Sequence, residues 1–468
     1  VDAGALLPLS VATPLLGAVL ALRRTPRAAR RVGLIASVAT TATGIAAAAA
    51  VWRSGTFEHA VGGWSAPLGI TLVADPLAGL MLGMTSLVGL AVSAYAADYF
   101  GDDESVRLFW ALWLALWASL AALFLSADLF NVYVALELAT LAAVGLVALA
   151  RGDAVVAAFR YLLWALVGSL LFLAGVALLY AASGVLSFEA LAGALAPAPA
   201  TRIGAALLLA GVAVKGALFP LHVWLPPAHA GAPAPVSAAL SALLVKAGFY
   251  LVLRLGAGAL APLDPSAALE AMGWLGAGAV VWGSALALVQ LRLKLLVAYS
   301  TVAQLGYLYL ALALGTPAAG VQLALSHAFA KAAMFLAAGT LLRGLGHDRI
   351  EGLAGAARRM PVTLFAFGLA GVSVLGLPPS GGFVGKWLLL QSALAAGHWA
   401  FAAVAVAGGL LAAGYVFRVL APCFAPSSVE RDPVRVGELV ALGLAAASIA
   451  LGFSAPSLLG PLLAGSPP

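Results

Sequence analysis

Apolar runs of about 20 residues, separated by short polar turns, repeat along the whole 468-residue chain. They fall near 3–22, 32–52, 76–97, 107–126, 129–150, 155–182, 203–226, 235–256, 270–290, 295–314, 318–342, 361–395, 398–420 and 437–460. A helix rises about 1.5 Å per residue, so each run spans the roughly 30 Å hydrocarbon core of a bilayer. The pattern predicts an all-α polytopic membrane protein of about 14 transmembrane helices. Two runs do not read as straight helices. The seventh carries Pro220, and the twelfth, too long for one straight span, is cut by Pro378 and Pro379 with Gly381 and Gly382 behind them. Proline removes a backbone donor and clashes with the preceding turn, so both helices are expected to break at mid-membrane. Broken helices in two halves of a chain are a signature of internal repeats. The pattern therefore divides a single membrane domain, 1–468, into three leading helices (1–106), two inverted five-helix repeats (107–256 and 270–420) and a final helix (437–460).

Composition removes the soluble classes. Hydrophobic residues make up 63% of the chain and charged ones 9%, with a mean hydropathy of +1.07, where a soluble domain is roughly a quarter charged. The 52 glycines suit close helix packing in lipid. The single Cys423 excludes an intramolecular disulfide and any multi-cysteine metal site. A net charge of +6 does not mark a nucleic-acid binder, because the arginines fall in short loops. The first run lacks a basic region before it and ends in RRTPRAARR, Arg23 to Arg31, so it reads as a spanning helix with its N-terminus outside, not a cleaved signal peptide. Threading the runs alternately from that start places every arginine except Arg53, Arg202 and Arg254, together with Lys294, in or beside cytoplasmic loops. That is a strong positive-inside bias.

The other four lysines, Lys215, Lys246, Lys331 and Lys386, lie inside apolar runs. A lysine at the bilayer centre costs about 2.5–3.5 kcal/mol, and a stem of roughly 6 Å cannot reach an interface some 15 Å away. Such residues mark an ion pathway, and lysine, unlike arginine, can exchange a proton when buried. Glu137 is the one carboxylate inside the fifth run; it is either paired, with Lys215 the natural partner, or protonated against a backbone carbonyl. His327 and Lys331 are four apart on one helical face, a spacing that suits a proton relay. His222 and His229 flank the first broken helix and are weaker candidates for proton transfer at its cytoplasmic end. The histidines share no metal-ligand spacing, and no stretch binds NAD, flavin or an iron–sulfur cluster, so no cofactor is expected and any redox chemistry belongs to partners.

Four stretches, WLPPAHAGAPAPVSA, LKLLVAYSTVAQLGY (Leu293 to Tyr307), SHAFAKAAMFLAAG and GLPPSGGFVGKW, together resemble the antiporter-like proton-pumping subunits shared by respiratory complex I, Mrp sodium/proton antiporters and membrane-bound hydrogenases. The likeness runs from about Ala74 to Arg418, and GGWSAPLGITLVADPLAGLML looks most like the D subunit of Mrp antiporters. The resemblance implies a proton path in which Glu137 pairs with Lys215, and Lys246, His327 with Lys331, and Lys386 follow. It departs at Arg292, where relatives often carry an acidic residue two before the lysine that opens the tenth helix, and after the fourteenth run, where no long lateral helix follows.

The expected function is proton translocation within a larger membrane complex of a bacterial cytoplasmic membrane. Its partners would be other membrane subunits, related antiporter-like subunits among them, with protons, Na+ and the lipid bilayer but no nucleic acid. A Mrp-type cation/proton antiporter is the leading reading. The alternatives are the proton-pumping subunit of an ion-translocating oxidoreductase (NADH:quinone oxidoreductase, membrane-bound hydrogenase or formate hydrogenlyase type) and a carrier for an organic solute.

Overall fold

The computed structural model describes residues 3–64, 69–426 and 435–464; residues 65–68, part of the GGWSAPLG stretch, lie outside the described residues. The helices are α1 (Leu6–Leu22), α2 (Pro26–Ser54), α3 (Pro76–Tyr99), α4 (Glu104–Leu125), α5 (Leu129–Ala148), α6 (Asp153–Ser183), the short α7 (Phe188–Ala194), α8 (Pro199–Lys215), α9 (Leu225–Gly231) and α10 (Ala234–Ala239). There follow α11 (Val245–Arg254), α12 (Ser266–Val289), α13 (Leu293–Ala313), α14 (Pro317–Leu345), the short α15 (Ala356–Arg359), α16 (Pro361–Leu375), α17 (Gly381–Ala395), α18 (Trp399–Cys423) and α19 (Val436–Ala464). A hairpin of β1 (Phe57–Ala60) and β2 (Thr71–Ala74) pairs Phe57 with Ala74 and Ala60 with Thr71. Eleven of the spans are long and apolar enough to cross a membrane unbroken. With α1 and the two interrupted helices, α8–α9 and α16–α17, the described residues make fourteen passes, the expected number.

The chain forms two compact units: Val1–Ser93, Phe100–Gly216 and Leu243–Ala268 in the first, Ala94–Tyr99, Ala217–Ala242 and Leu269–Pro468 in the second. Within the first, α6 and α8 meet along glycines seven residues apart on each helix, Gly168 and Gly175 facing Gly211 and Gly204. A methyl group on Gly175 would come within 2.6 Å of the Gly204 carbonyl oxygen and 2.7 Å of the Leu208 amide nitrogen. Small residues are what allow backbones this close in lipid, and the contact fixes the helix that ends at Lys215. In the second unit α14 is the axis: every residue from Ala319 to Leu341 is buried, with α13, α16, α17 and α19 packed around it.

Within each unit, loops assigned to one membrane face by the threading come together. In the first, Leu72 bridges Ser126, Asp128 bridges Ser187, and Asp75 forms an ion pair with Arg254. At the other ends of the helices Asp102 bonds Arg27 and Arg30, both at 2.8 Å, and the Arg27 hydrogen bond holds this carboxyl below its usual range. In the second, Arg292 pairs with Asp348 at 3.0 Å, and the Arg418 guanidinium donates to the Gln290 carbonyl at 2.6 Å.

Two expectations require correction. The first broken helix does not end at Pro220 but at Lys215, before Gly216 and an Ala217 in the left-handed region (φ +53°). The residue before a proline is driven out of the α region, and the cis Phe219–Pro220 bond sits inside a non-helical turn that has already begun. Lys294, grouped above with the loop cations, is 3% exposed; its ammonium is turned inward.

Candidate functional site: buried lysines at helix breaks

The site begins on α5. Asp128 caps this helix, accepting the Asn131 amide at 2.8 Å, and two and a half turns later Glu137 projects among helices. Its Oε1 accepts from the Lys215 ammonium at 2.9 Å and from the Ser169 hydroxyl of α6. Lys215 also donates to Thr140 Oγ1 at 2.8 Å. Lys215 is the last residue of α8, where the helix has run out of partners for its final carbonyls. That negative end of the macrodipole favours a cation. The lysine side chain is 6% exposed, so the ion pair is desolvated on its cationic side.

Lys246, fully buried, lies two residues beyond a π-helical turn, Leu240–Leu244, between α10 and α11. Such turns widen a helix and recur at functional positions. Gly248 on α11 lies against Gly216: a Cβ there would be 2.5 Å from the Gly216 Cα. Two glycines thus bring together the backbones that carry Lys215 and Lys246. The sequence reading missed both this crossing and the π turn. Gly216 and Gly248 each follow their lysine within two residues, which was the available signal; nothing in the residue pattern announces the extra residue of a π turn.

In the second unit Lys331 of α14 donates to Ser300 Oγ and to the Val297 carbonyl oxygen (3.3 Å), both on α13. His327, one turn earlier on α14, is 6% exposed. Lys386 lies in α17, past the second break, yet its ammonium reaches back to the last carbonyls of α16: Val374 at 2.8 Å and Leu375 at 3.1 Å. It also sits 4.4 Å from the centre of the Tyr307 ring, on the face that attracts cations. A groove of about 270 Å³ beside it is lined by Phe383, Trp387, Val406 and Leu410. Both interrupted helices therefore hold an ammonium at the break, one from the residue that ends the first half and one from the second half.

The weaker histidines have packed settings. His222 stacks on Phe219 (5.5 Å between rings) inside the turn of the first broken helix. His229, in α9, is fully buried against Phe335 at 4.9 Å, and its carbonyl accepts from Ser237. Lys294 is the lysine that sequence reasoning left out. Its ammonium donates to the carbonyls of Ala230, at 3.3 Å, and Ala232, at the end of α9. It caps the second half of the first broken helix, as Lys386 caps the first half of the other.

Residues 126–412, more than half of the chain, match the family described as NADH:quinone oxidoreductase/Mrp antiporter, TM. The chain is 39% identical over 399 residues to the N subunit of the NADH-quinone oxidoreductase of Desulforudis audaxviator, covering 83% of this chain and 79% of that one. It is 30% identical over 381 residues to the D subunit of the Na(+)/H(+) antiporter of Bacillus subtilis, covering 80% and 77%. A chain in the solved Mrp complex from Dietzia sp. superposes with a TM-score of 0.87 at 27% identity, over 98% of this chain and 96% of that chain. The protein belongs to the NADH:quinone oxidoreductase/Mrp antiporter family of multi-pass membrane proteins.

Proposed function

We propose that this chain is the proton-translocating, antiporter-like subunit of a multisubunit membrane complex, a Mrp-type monovalent cation (Na+)/proton antiporter. The observation that carries the reading is the Glu137–Lys215 ion pair at the end of an interrupted membrane helix, in a chain that also buries Lys246 and Lys331 within its helices and holds a partly buried Lys386 at its second helix break. A carboxylate beside an ammonium holds the lysine charged; removing one partner from a buried pair costs about 3–5 kcal/mol unless the other changes its protonation. Opening the pair releases the Lys215 proton. Lys246, His327, Lys331 and Lys386 then pass protons on by hops, so that the pair is the gate and the others the wire. His222 and His229 serve the cytoplasmic end of the first broken helix. The chain sits in a bacterial cytoplasmic membrane with its N-terminus outside, beside other membrane subunits that include related antiporter-like ones, and no cofactor of its own is needed.

A second reading keeps the same path and changes the drive: the proton-pumping subunit of a redox complex, favoured by the 39% identity to the N subunit of an NADH-quinone oxidoreductase. The subunits that co-purify separate the two readings, small antiporter subunits marking the first and redox subunits the second. The path itself is tested with Glu137→Gln in the purified complex, reconstituted into vesicles. The expected outcome is normal assembly with proton-coupled transport lost. Retention of most of the transport would overturn the assignment of Glu137 and Lys215 as the gate.

A further inference from the structure

None of the four family-like motifs includes α18, yet this helix supplies a buried polar group between two of the lysines. Tyr415 is fully buried, and its hydroxyl faces Ser300 and Gln304 of α13 while closing a direct bond to neither. Those neighbours serve different lysines. Ser300 Oγ accepts from the Lys331 ammonium and donates to the Val297 carbonyl at 2.8 Å. Gln304 Nε2 donates at 3.2 Å to the Val374 carbonyl, the oxygen that also accepts Lys386 at 2.8 Å. One phenolic hydroxyl thus stands between the anchor of Lys331 and the anchor of Lys386.

We propose that Tyr415 is a positioning residue whose hydroxyl couples the protonation of Lys331 to the seating of Lys386. The inference rests on the proton-path reading above and follows from counting donors and acceptors. A lysine ammonium only donates, a neutral amine also accepts, and a serine hydroxyl has one proton and two acceptor sites. With Lys331 charged, one acceptor site of Ser300 holds the ammonium and its own proton stays on Val297; an oxygen already bound to a cation is the poorer second acceptor, so Tyr415 turns its O–H to the Gln304 side-chain oxygen. That holds the Gln304 amide on Val374, whose carbonyl it shares with Lys386. When the Lys331 proton passes to the next carrier, Ser300 turns its proton to the amine and accepts from Tyr415 instead. Gln304 is released, and Val374 is left to the Lys386 ammonium. The tyrosine O–H bond stays intact throughout; what moves is a hydrogen bond.

The test uses the assembled complex in vesicles, comparing Tyr415→Phe, Gln304→Leu and the double variant, with Lys331→Ala and Lys386→Ala as references. Tyr415→Phe keeps the ring and removes only the hydroxyl. It is expected to assemble, to transport about two- to tenfold more slowly, the range of one modest hydrogen bond, and to move the pH profile of transport. The double variant should be no slower than Gln304→Leu alone. A wild-type rate and pH profile in Tyr415→Phe, or losses that simply multiply in the double variant, would overturn the inference while leaving the path standing. If Tyr415→Phe does not assemble, Gln304→Leu decides on its own, an unmoved pH profile counting against the coupling. Full transport in Lys331→Ala and Lys386→Ala would instead remove the path reading, and this inference with it.

Discussion

Most arginines of this chain lie at its loops and most lysines inside its helices, and the two side chains differ chemically. Arginine stays charged at any relevant pH, which suits the loop contacts of Arg27, Arg30 and Arg292. Lysine can be neutral when buried, and the four lysines at the candidate stations, Lys215, Lys246, Lys331 and Lys386, are all inside the helices. Lys246 offers the sharpest test, because substitution by arginine keeps the charge and removes only the ability to release a proton at working pH. Lys246→Arg is expected to assemble normally and to fail in proton-coupled transport, measured on the complex in vesicles. Near wild-type transport in Lys246→Arg, combined with loss in Lys246→Ala, would reduce this residue to a fixed positive field. At this scale the sequence was informative wherever a charge lay deep inside an apolar run. Glu137 needed either a partner or a proton, and the structure gives it Lys215. Lys294 was misread because it opens its apolar run, where hydropathy cannot tell a loop cation from a buried one. Its inward turn depends on where α9 ends, since the carbonyls it caps belong to Ala230 and Ala232.

The helices themselves were legible because lipid leaves the backbone no other way to satisfy its polar groups, so each pass must declare itself as about 20 apolar residues. What the pattern of prolines conveyed less well was the position of the breaks. Pro220 is conspicuous in the sequence, but the helix stops at Lys215, and the left-handed turn at Ala217 leaves no compositional trace. The consequence is functional, since a lysine in mid-helix and one at a helix end sit in different fields. The element that places Lys215 is the α6–α8 contact, and its glycines can be tested directly. Gly175→Val puts methyl groups against the Gly204 carbonyl and the Leu208 amide, which are backbone and cannot swing away. Overpacking of this kind costs about 1–3 kcal/mol. The variant is expected to lower the melting temperature of the purified complex and to lose transport by displacing Lys215 from Glu137. Gly443→Val, at a position where a Cβ meets nothing within 4 Å, is the control and should change neither. Equal behaviour of the two variants would mean that the α6–α8 seam does not position the pair.

For the molecule as a whole, orientation in the membrane decides which end of the proposed path faces the cytoplasm. Threading fourteen passes from an outside N-terminus leaves only Arg53, Arg202 and Arg254 outside among the arginines. The loop contacts support the alternation independently of charge. The hairpin segment 57–74 meets the turns at 126–128, and the latter meet 183–188; all three are assigned to one face. The loops at 290–292 and 348–350 meet one another and are assigned to the opposite face. Contacts of this kind establish which loops share a side but not which side is the cytoplasm; only the arginine bias speaks to that. The chain is well suited to cysteine labelling, because its one native cysteine, Cys423, is 1% exposed and should stay silent towards a membrane-impermeant maleimide. Thr56→Cys and Ala196→Cys, both at exposed positions, are expected to label in intact cells. Gly101→Cys and Glu351→Cys, also exposed, should label only after the membrane is opened. The reverse pattern would invert the molecule, put the arginine loops outside, and turn the break at Lys215, with His222 and His229 beyond it, towards the external face. A mixed pattern, with Thr56 and Ala196 on different sides, would break the alternation itself and with it the count of fourteen passes.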